Sequence, residues 1–146
     1  MTMPIKKYTA QSVMGEDFRT ECTVDGDHVL ILDQPLPIGN DEGANPLSYQ
    51  LVALAGCISS ISRIVANQKR LPLKGIRVSV ESEIDTDFLL GRTTNGRAGF
   101  TSISAKVEVE ADMTREEKQA FLDEVDRRCP ISDVLMTGTR VAVSLA

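Results

Sequence analysis

The sequence predicts an α+β fold in which antiparallel sheets pack around a long, buried central helix. Segments of alternating apolar and polar residues lie toward both ends of the chain, and one long helical pattern lies between them. Hydrophobic residues make up 42% and charged residues 25% of the 146 residues, which is typical of a globular protein with a real core. A chain of this length normally builds one core, so we expect a single domain over residues 1–146.

Residues 5–34 predict an antiparallel meander. The segments rich in strand-forming residues are 6–13, 18–24 and 28–32. Asp25-Gly26 lies between the last two segments and is a hairpin signal. Residues 34–44 are rich in proline, glycine and polar residues, which is typical of a loop. We therefore expect three paired strands and then a loop that leads into a helix.

The central helix begins and ends at clear signals. Asn45 is a preferred N-cap, Pro46 suits the first helical position, and Pro72 ends the pattern. Apolar residues recur at spacings of three and four, as in a helix packed on a core: Leu47, Leu51, Leu54, Ile58, Ile61 and Val65. No charged residue occurs over residues 43–62, yet this segment is too polar for a bilayer. A helix uncharged all round is buried on several sides, so we expect a second copy to cover it in a homodimer.

The second half of the chain predicts two long strands, two helices and a last strand. Segments 76–84 and 103–110 alternate apolar and polar residues, and a long glycine-containing loop over residues 85–99 joins them. The capping box that begins at Thr114 opens a helix that ends near Arg128. We expect a short helix over 131–137, closed by Gly138, and a final strand over 139–145.

Composition excludes several classes of function. Sixteen Lys and Arg against twenty-one Asp and Glu leave a net charge of -5, and Trp is absent, so we expect no nucleic-acid partner. The first residues show no apolar run like that of a signal peptide, so we expect a cytoplasmic protein without a membrane partner. His28 is the only histidine, which argues against a His-rich metal centre and a Ser-His-Asp triad.

The first candidate for chemistry is Cys57 in the long helix. It follows Ala55 and Gly56, whose small side chains let a substrate or another element approach the thiol closely. Taken alone, a small buried and inert cysteine is the commoner state. Cys22, in the middle of a predicted strand, is interpreted as an ordinary strand residue.

Cys129 is a different kind of candidate, because it directly precedes Pro130 at a helix start. As the N-cap of the short helix, its thiol would meet unpaired backbone N–H groups and the positive end of the helix dipole, which favour a thiolate. Arg127 and Arg128 would add positive charge. A cysteine that merely fills space is an equally good interpretation of this pattern.

Two motifs carry a family resemblance. The segment from Asn45-Pro46 to Gly56-Cys57 and the later Arg128-Cys129-Pro130-Ile131-Ser132 occur in an order that resembles the family of osmotically inducible protein C and organic hydroperoxide resistance protein (OsmC/Ohr). The match in element order covers nearly the whole chain. It implies an OsmC-like fold, an intertwined homodimer with active sites at the subunit interface, and a thiol-based peroxidase that acts on small organic hydroperoxides without metal, haem or bound cofactor.

The resemblance also implies roles for three residues. Cys57 is the peroxidatic cysteine, and Cys129 is the resolving cysteine that forms a disulfide with it, which an external dithiol then reduces. This order differs from the N-cap argument, which favours Cys129 as the thiolate, and we follow the resemblance. Arg19 is the counterpart of the arginine that orients the thiolate, although a solvated strand charge is an equal alternative. The family's glutamate after Asn-Pro is Leu47 here, which predicts weaker activity or another electrophile.

Other functions stay open at this point. A non-enzymatic OsmC-like protein would use its interface cavity to bind a small apolar ligand, or would sense oxidants through the same thiols. The missing glutamate favours this alternative, whereas the presence of both cysteines favours the peroxidase. A purely structural dimer with inert thiols is a third hypothesis, and the spacing gives no support to a zinc site built on Cys57 and Cys129.

Overall fold

The structure, a computed structural model, describes residues 3–146. In chain order these residues form β1 (Ala10–Met14), β2 (Thr20–Val24), β3 (His28–Leu32), α1 (Pro46–Lys69), β4 (Leu73–Ile84), α2 (Thr86–Leu89), β5 (Phe100–Ala111), α3 (Arg115–Arg128) and α4 (Pro130–Thr137). Two compact units are present, the first ending at Gln50 and the second spanning Leu51–Ala146. The predicted α+β class with antiparallel sheets and a long helix is confirmed, and the single-domain organisation stays a prediction.

The N-terminal unit is built on the antiparallel sheet β1-β2-β3. Asp25 and Gly26 have φ angles of 50° and 91°, the two left-handed positions that a tight hairpin requires, so the predicted turn is confirmed. β1 begins at Ala10 and not at residue 6. Thr9 accepts the Asp25 backbone N–H at 3.0 Å, but its own N–H donates to the Asp25 carboxylate at 3.1 Å, so the regular ladder ends at Ala10.

The C-terminal unit is built on the antiparallel pair β4-β5, which extends beyond both predicted segments. Alternate residues of the two strands face a core made by α1, β4, α3 and the first residue after α3. Its buried members are Leu54, Ile58, Val65, Ala66, Leu73, Phe121, Val125 and Cys129. Most of the remaining strand positions are polar and exposed, because only one face of the pair is covered.

Local capping explains where the helices begin and end. The Asn45 side chain accepts the Ser48 N–H at 2.9 Å at the start of α1. Thr114 and Glu117 form the complete capping box of α3. Cys129 is the N-cap of α4, and Gly138 ends that helix with a φ of 75°. These predicted boundaries are confirmed.

Only one face of α1 is covered within the described chain. Leu54, Ile58 and Val65 are buried, whereas Val52 and Ile64 are 64% and 42% exposed. α1 is long and apolar enough to cross a membrane, a test that the core helix of a soluble protein also passes, and its buried stripe makes it a core helix. The burial on several sides that the sequence predicts is therefore not reached by one chain alone.

Two sequence predictions in the second half were wrong. Residues 85–99 are not all loop, because Asp85 caps the short helix α2 by accepting the Asp87 N–H at 2.9 Å. The predicted strand over 139–145 does not form among the residues that the structure describes. Alternation produces a strand only where a neighbour completes the ladder of hydrogen bonds, and none does so here. Its apolar members Val141, Val143 and Leu145 are 81%, 92% and 100% exposed.

Candidate active site: a pair of adjacent thiols

Two helices bring Cys57 and Cys129 together. Cys57 lies in the middle of α1, and Cys129 joins α3 to α4. Their sulfur atoms are 2.9 Å apart, although 72 positions separate the residues in sequence. A disulfide has an S–S distance of about 2.05 Å, so the two sulfurs need to approach by only about 0.9 Å to form a bond. Both cysteines are free thiols in the structure.

The two thiols differ in exposure. The Cys129 side chain is fully buried, whereas Cys57 is half-buried. Cys57 is therefore the more accessible of the two cysteines. Because Cys129 lies directly behind it, any oxidised form of Cys57 has a thiol within bonding reach.

The electrostatic environment of Cys57 contains opposing effects. Burial raises the pKa of the Cys57 thiol, and the adjacent Cys129 raises it further. The backbone N–H of Ile131, in the first turn of α4, faces the Cys57 sulfur and lowers its pKa. The Ser132 N–H donates to the Cys129 sulfur at 3.5 Å. The first turn of α4 thus directs one amide at each sulfur, at the helix end where negative charge is stabilised.

Arg127 and Arg128 do not act as free positive charges beside Cys129. Both guanidinium groups pair with Glu124, at 2.6 Å from Arg127 and 3.5 Å from Arg128. The hydrogen bond from Arg127 holds the pKa of the Glu124 carboxyl below its usual value. Arg128 also donates to the Gln68 side chain at 2.9 Å, which ties α3 to α1. The single Glu124 carboxylate therefore offsets one of the two positive charges that the sequence places beside Cys129.

Arg19 lies in the N-terminal unit, directly before β2. Its Nε donates to the Glu42 carboxylate at 2.6 Å, and the Arg19 side chain is 39% exposed. Sequence reasoning missed Glu42, which falls in a segment interpreted only as a loop. An acidic residue just before the Asn45-Pro46 helix start was the available signal.

Asp33 organises the loop that carries Glu42. Its buried carboxylate accepts the backbone N–H groups of Gln34 at 2.7 Å and of Asn40 and Glu42 at 3.2 Å. Burial raises the pKa of Asp33, but these three amides, together with Arg19, lower it below its usual value. Sequence reasoning also missed Asp33, because its partners become visible only once the loop is closed.

The remaining sequence candidates lie in ordinary surroundings. Cys22 is opposite Ser12 and Leu30 in the N-terminal sheet, as expected of a strand residue. Leu47 leaves the first turn of α1 without an acidic side chain. Over residues 3–146, no group of three or more His, Cys, Asp or Glu side chains is placed to hold a metal ion.

Comparison with known proteins places these observations in context. The family described as OsmC-like protein matches residues 39–144. A protein of Mycoplasma genitalium named hydroperoxide reductase is 25% identical over 141 residues, which cover 97% of this chain and 95% of that protein.

Solved structures share the fold of this chain. An OsmC-like protein from Mycoplasma pneumoniae has a TM-score of 0.79 at 26% identity, over 90% of this chain and 89% of that one. An organic hydroperoxide resistance protein from Elizabethkingia anophelis has a TM-score of 0.73 at 19% identity, over 93% and 92% of the two chains. The second likeness shows the fold alone.

Proposed function

Because the chain belongs to the OsmC-like protein family, we propose that it is a thiol-dependent peroxidase that reduces organic hydroperoxides in defence against oxidative stress. The observation that carries this proposal is the 2.9 Å approach of the Cys57 and Cys129 sulfurs. A relative named hydroperoxide reductase supports the choice of substrate class.

The proposed reaction has three steps. The Cys57 thiolate attacks the terminal oxygen of the hydroperoxide, the O–O bond breaks, and the leaving alkoxide takes a proton to become an alcohol. Cys57 is now a sulfenic acid. The Cys129 thiol attacks its sulfur, water leaves, and a Cys57–Cys129 disulfide forms. An external dithiol then reduces this disulfide by thiol–disulfide exchange and is itself oxidised.

Exposure and the backbone amides support Cys57 as the attacking residue. The fully buried Cys129 is poorly placed to meet a peroxide, whereas the half-buried Cys57 has an open side. The Ile131 N–H stabilises negative charge on Cys57, partly offsetting the effect of burial on its pKa. The role of Cys129 as an N-cap also fits a resolving thiol, because the Ser132 amide would stabilise its thiolate as it attacks.

Arg19 is proposed to orient the reactive thiolate, as the family resemblance implies. Glu42 already holds its guanidinium at 2.6 Å and supplies the carboxylate that Leu47 does not. We expect Arg19→Ala to lower kcat/KM for hydroperoxide while diamide still forms the Cys57–Cys129 disulfide. Unchanged kcat/KM in Arg19→Ala would leave Arg19 as a structural charge.

We also propose that the chain works as a cytoplasmic homodimer. The exposed face of α1 and the open apolar segment at residues 139–146 are the surfaces that a second copy would cover. At micromolar concentration, light scattering should give twice the 15.9 kDa mass of a single chain. A monomer mass over the same range would remove this part of the proposal.

Turnover assays with single-cysteine variants test the reaction. The wild type should reduce several equivalents of cumene hydroperoxide with a dithiol present, and dimedone should trap Cys57 sulfenic acid in Cys129→Ser. Cys57→Ser should consume no peroxide, and Cys22→Ser serves as the matched control with full activity. A wild type whose thiols survive excess peroxide would instead favour the alternative that Leu47 suggests, a non-enzymatic protein that binds a small apolar ligand or senses other oxidants.

A further inference from the structure

One residue, Asp126, spans the junction between α3 and α4. The Asp126 carbonyl accepts the Cys129 N–H at 3.2 Å, and the Asp126 carboxylate accepts the Ser132 hydroxyl at 2.7 Å. The same Ser132 donates its backbone N–H to the Cys129 sulfur. The last turn of α3 and the first turn of α4 are therefore connected on both sides of Cys129.

We propose that Asp126 and Ser132 are positioning residues that hold the first turn of α4 with its amides directed at the two cysteine sulfurs. The Cys57 sulfur lies 2.9 Å from the Cys129 sulfur that the Ser132 N–H contacts, and it faces the Ile131 N–H one position before Ser132. A rotation of α4 about the Cys129-Pro130 link would withdraw both amides together. The Ser132–Asp126 hydrogen bond opposes that rotation, since it spans the link and ends on a charged acceptor.

This inference rests on the proposed role of Cys57 as the attacking thiol. Asp126 and Ser132 together form a clamp on α4. This clamp increases the fraction of Cys57 thiolate at neutral pH, because an amide that stays in place stabilises the charged form. The clamp acts through the backbone of α4 and touches neither the peroxide nor the sulfur of Cys57. Its loss should therefore change thiolate reactivity more than global stability.

The experiment measures the rate of iodoacetamide reaction at Cys57 against pH, read by peptide mass spectrometry on the reduced full chain. In Ser132→Ala and Asp126→Ala, we expect roughly three- to tenfold slower alkylation at pH 7, with the inflection of the profile moved to higher pH by half a unit to one unit. Ser132→Thr and Asp126→Asn keep a donor and an acceptor, and they should stay close to the wild type.

Asp123→Ala is the matched control. Asp123 lies on the same helix and accepts an exposed side-chain hydrogen bond from Gln119 at 2.9 Å, which does not involve α4. Its alkylation profile should coincide with that of the wild type. The proposal is overturned if Ser132→Ala and Asp126→Ala also coincide with the wild type, or if they react faster at every pH because α4 has opened. No peroxide enters this assay, so a protein that fails to reduce hydroperoxides still gives a clear result for the clamp.

Discussion

Shortening Val125 should loosen the support of Cys129 by a predictable amount. Val125 is 1% exposed on α3, one helical turn before Cys129, and it belongs to the same core cluster. Val125→Ala removes two buried methyl groups, which is intermediate between Ile→Val and Leu→Ala and should cost about 2–3 kcal/mol in the free energy of unfolding. The melting temperature should fall by about 4–12 °C.

The same change should expose the Cys129 thiol more often. Since Cys129 is fully buried, a thiol reagent modifies it only through an opening of the structure. If that opening releases α3, then 2–3 kcal/mol corresponds to roughly 30- to 150-fold faster modification, at about 1.4 kcal/mol per factor of ten. The rate is measured in a Cys57→Ser background by peptide mapping, with unfolding followed in urea by circular dichroism.

Asp123→Ala, an exposed change on the same helix, should alter unfolding by less than about 0.5 kcal/mol and leave the Cys129 rate unchanged. A Val125→Ala protein that loses stability without faster Cys129 modification would show that Cys129 opens independently of α3. A loss below about 1 kcal/mol would show that the Val125 side chain is not tightly packed in the core.

Three further outcomes follow from individual contacts. Thr114→Ala removes half of the capping box and should cost about 1 kcal/mol in urea unfolding; an unchanged midpoint would contradict it. Gly43→Ala places a methyl group against the backbone carbonyl of β3 and should speed proteolysis within residues 34–44, whereas Gly15→Ala, facing open space, should not. Because the pKa of Asp33 is lowered from 3.8 on folding, its contribution is present at neutral pH and is lost as the pH falls through 3.8 and then through the lowered pKa. Asp33→Asn should make the free energy of unfolding less dependent on pH in this acidic range. An unchanged pH dependence would contradict the lowered pKa of Asp33.

Features that depend on neighbouring residues could be predicted from the sequence. The Asp25-Gly26 turn, the start of α1 at Asn45-Pro46 and the capping box at Thr114 use hydrogen bonds between residues at most three positions apart. Such contacts form wherever the chain has the right side chains in the right order. Hydrophobic alternation likewise predicted which face of β4 and of β5 packs against the core.

The contacts that define the candidate site were decided by tertiary structure. Cys57 and Cys129 meet because α1 and α3 share a core, and no local pattern encodes a contact across 72 positions. Within the N-terminal unit, Arg19 and Glu42 are likewise distant in sequence and meet only in the folded chain, where the Asp33 carboxylate holds the loop that carries Glu42. The strand expected at 139–145 failed for the same reason, since a strand exists only with a partner. The sequence by itself determined α1, α3 and α4, the Asp25-Gly26 turn and which residues carry the thiols, because these depend on short-range bonding or on the residue types alone. Packing decided which side chains face each other.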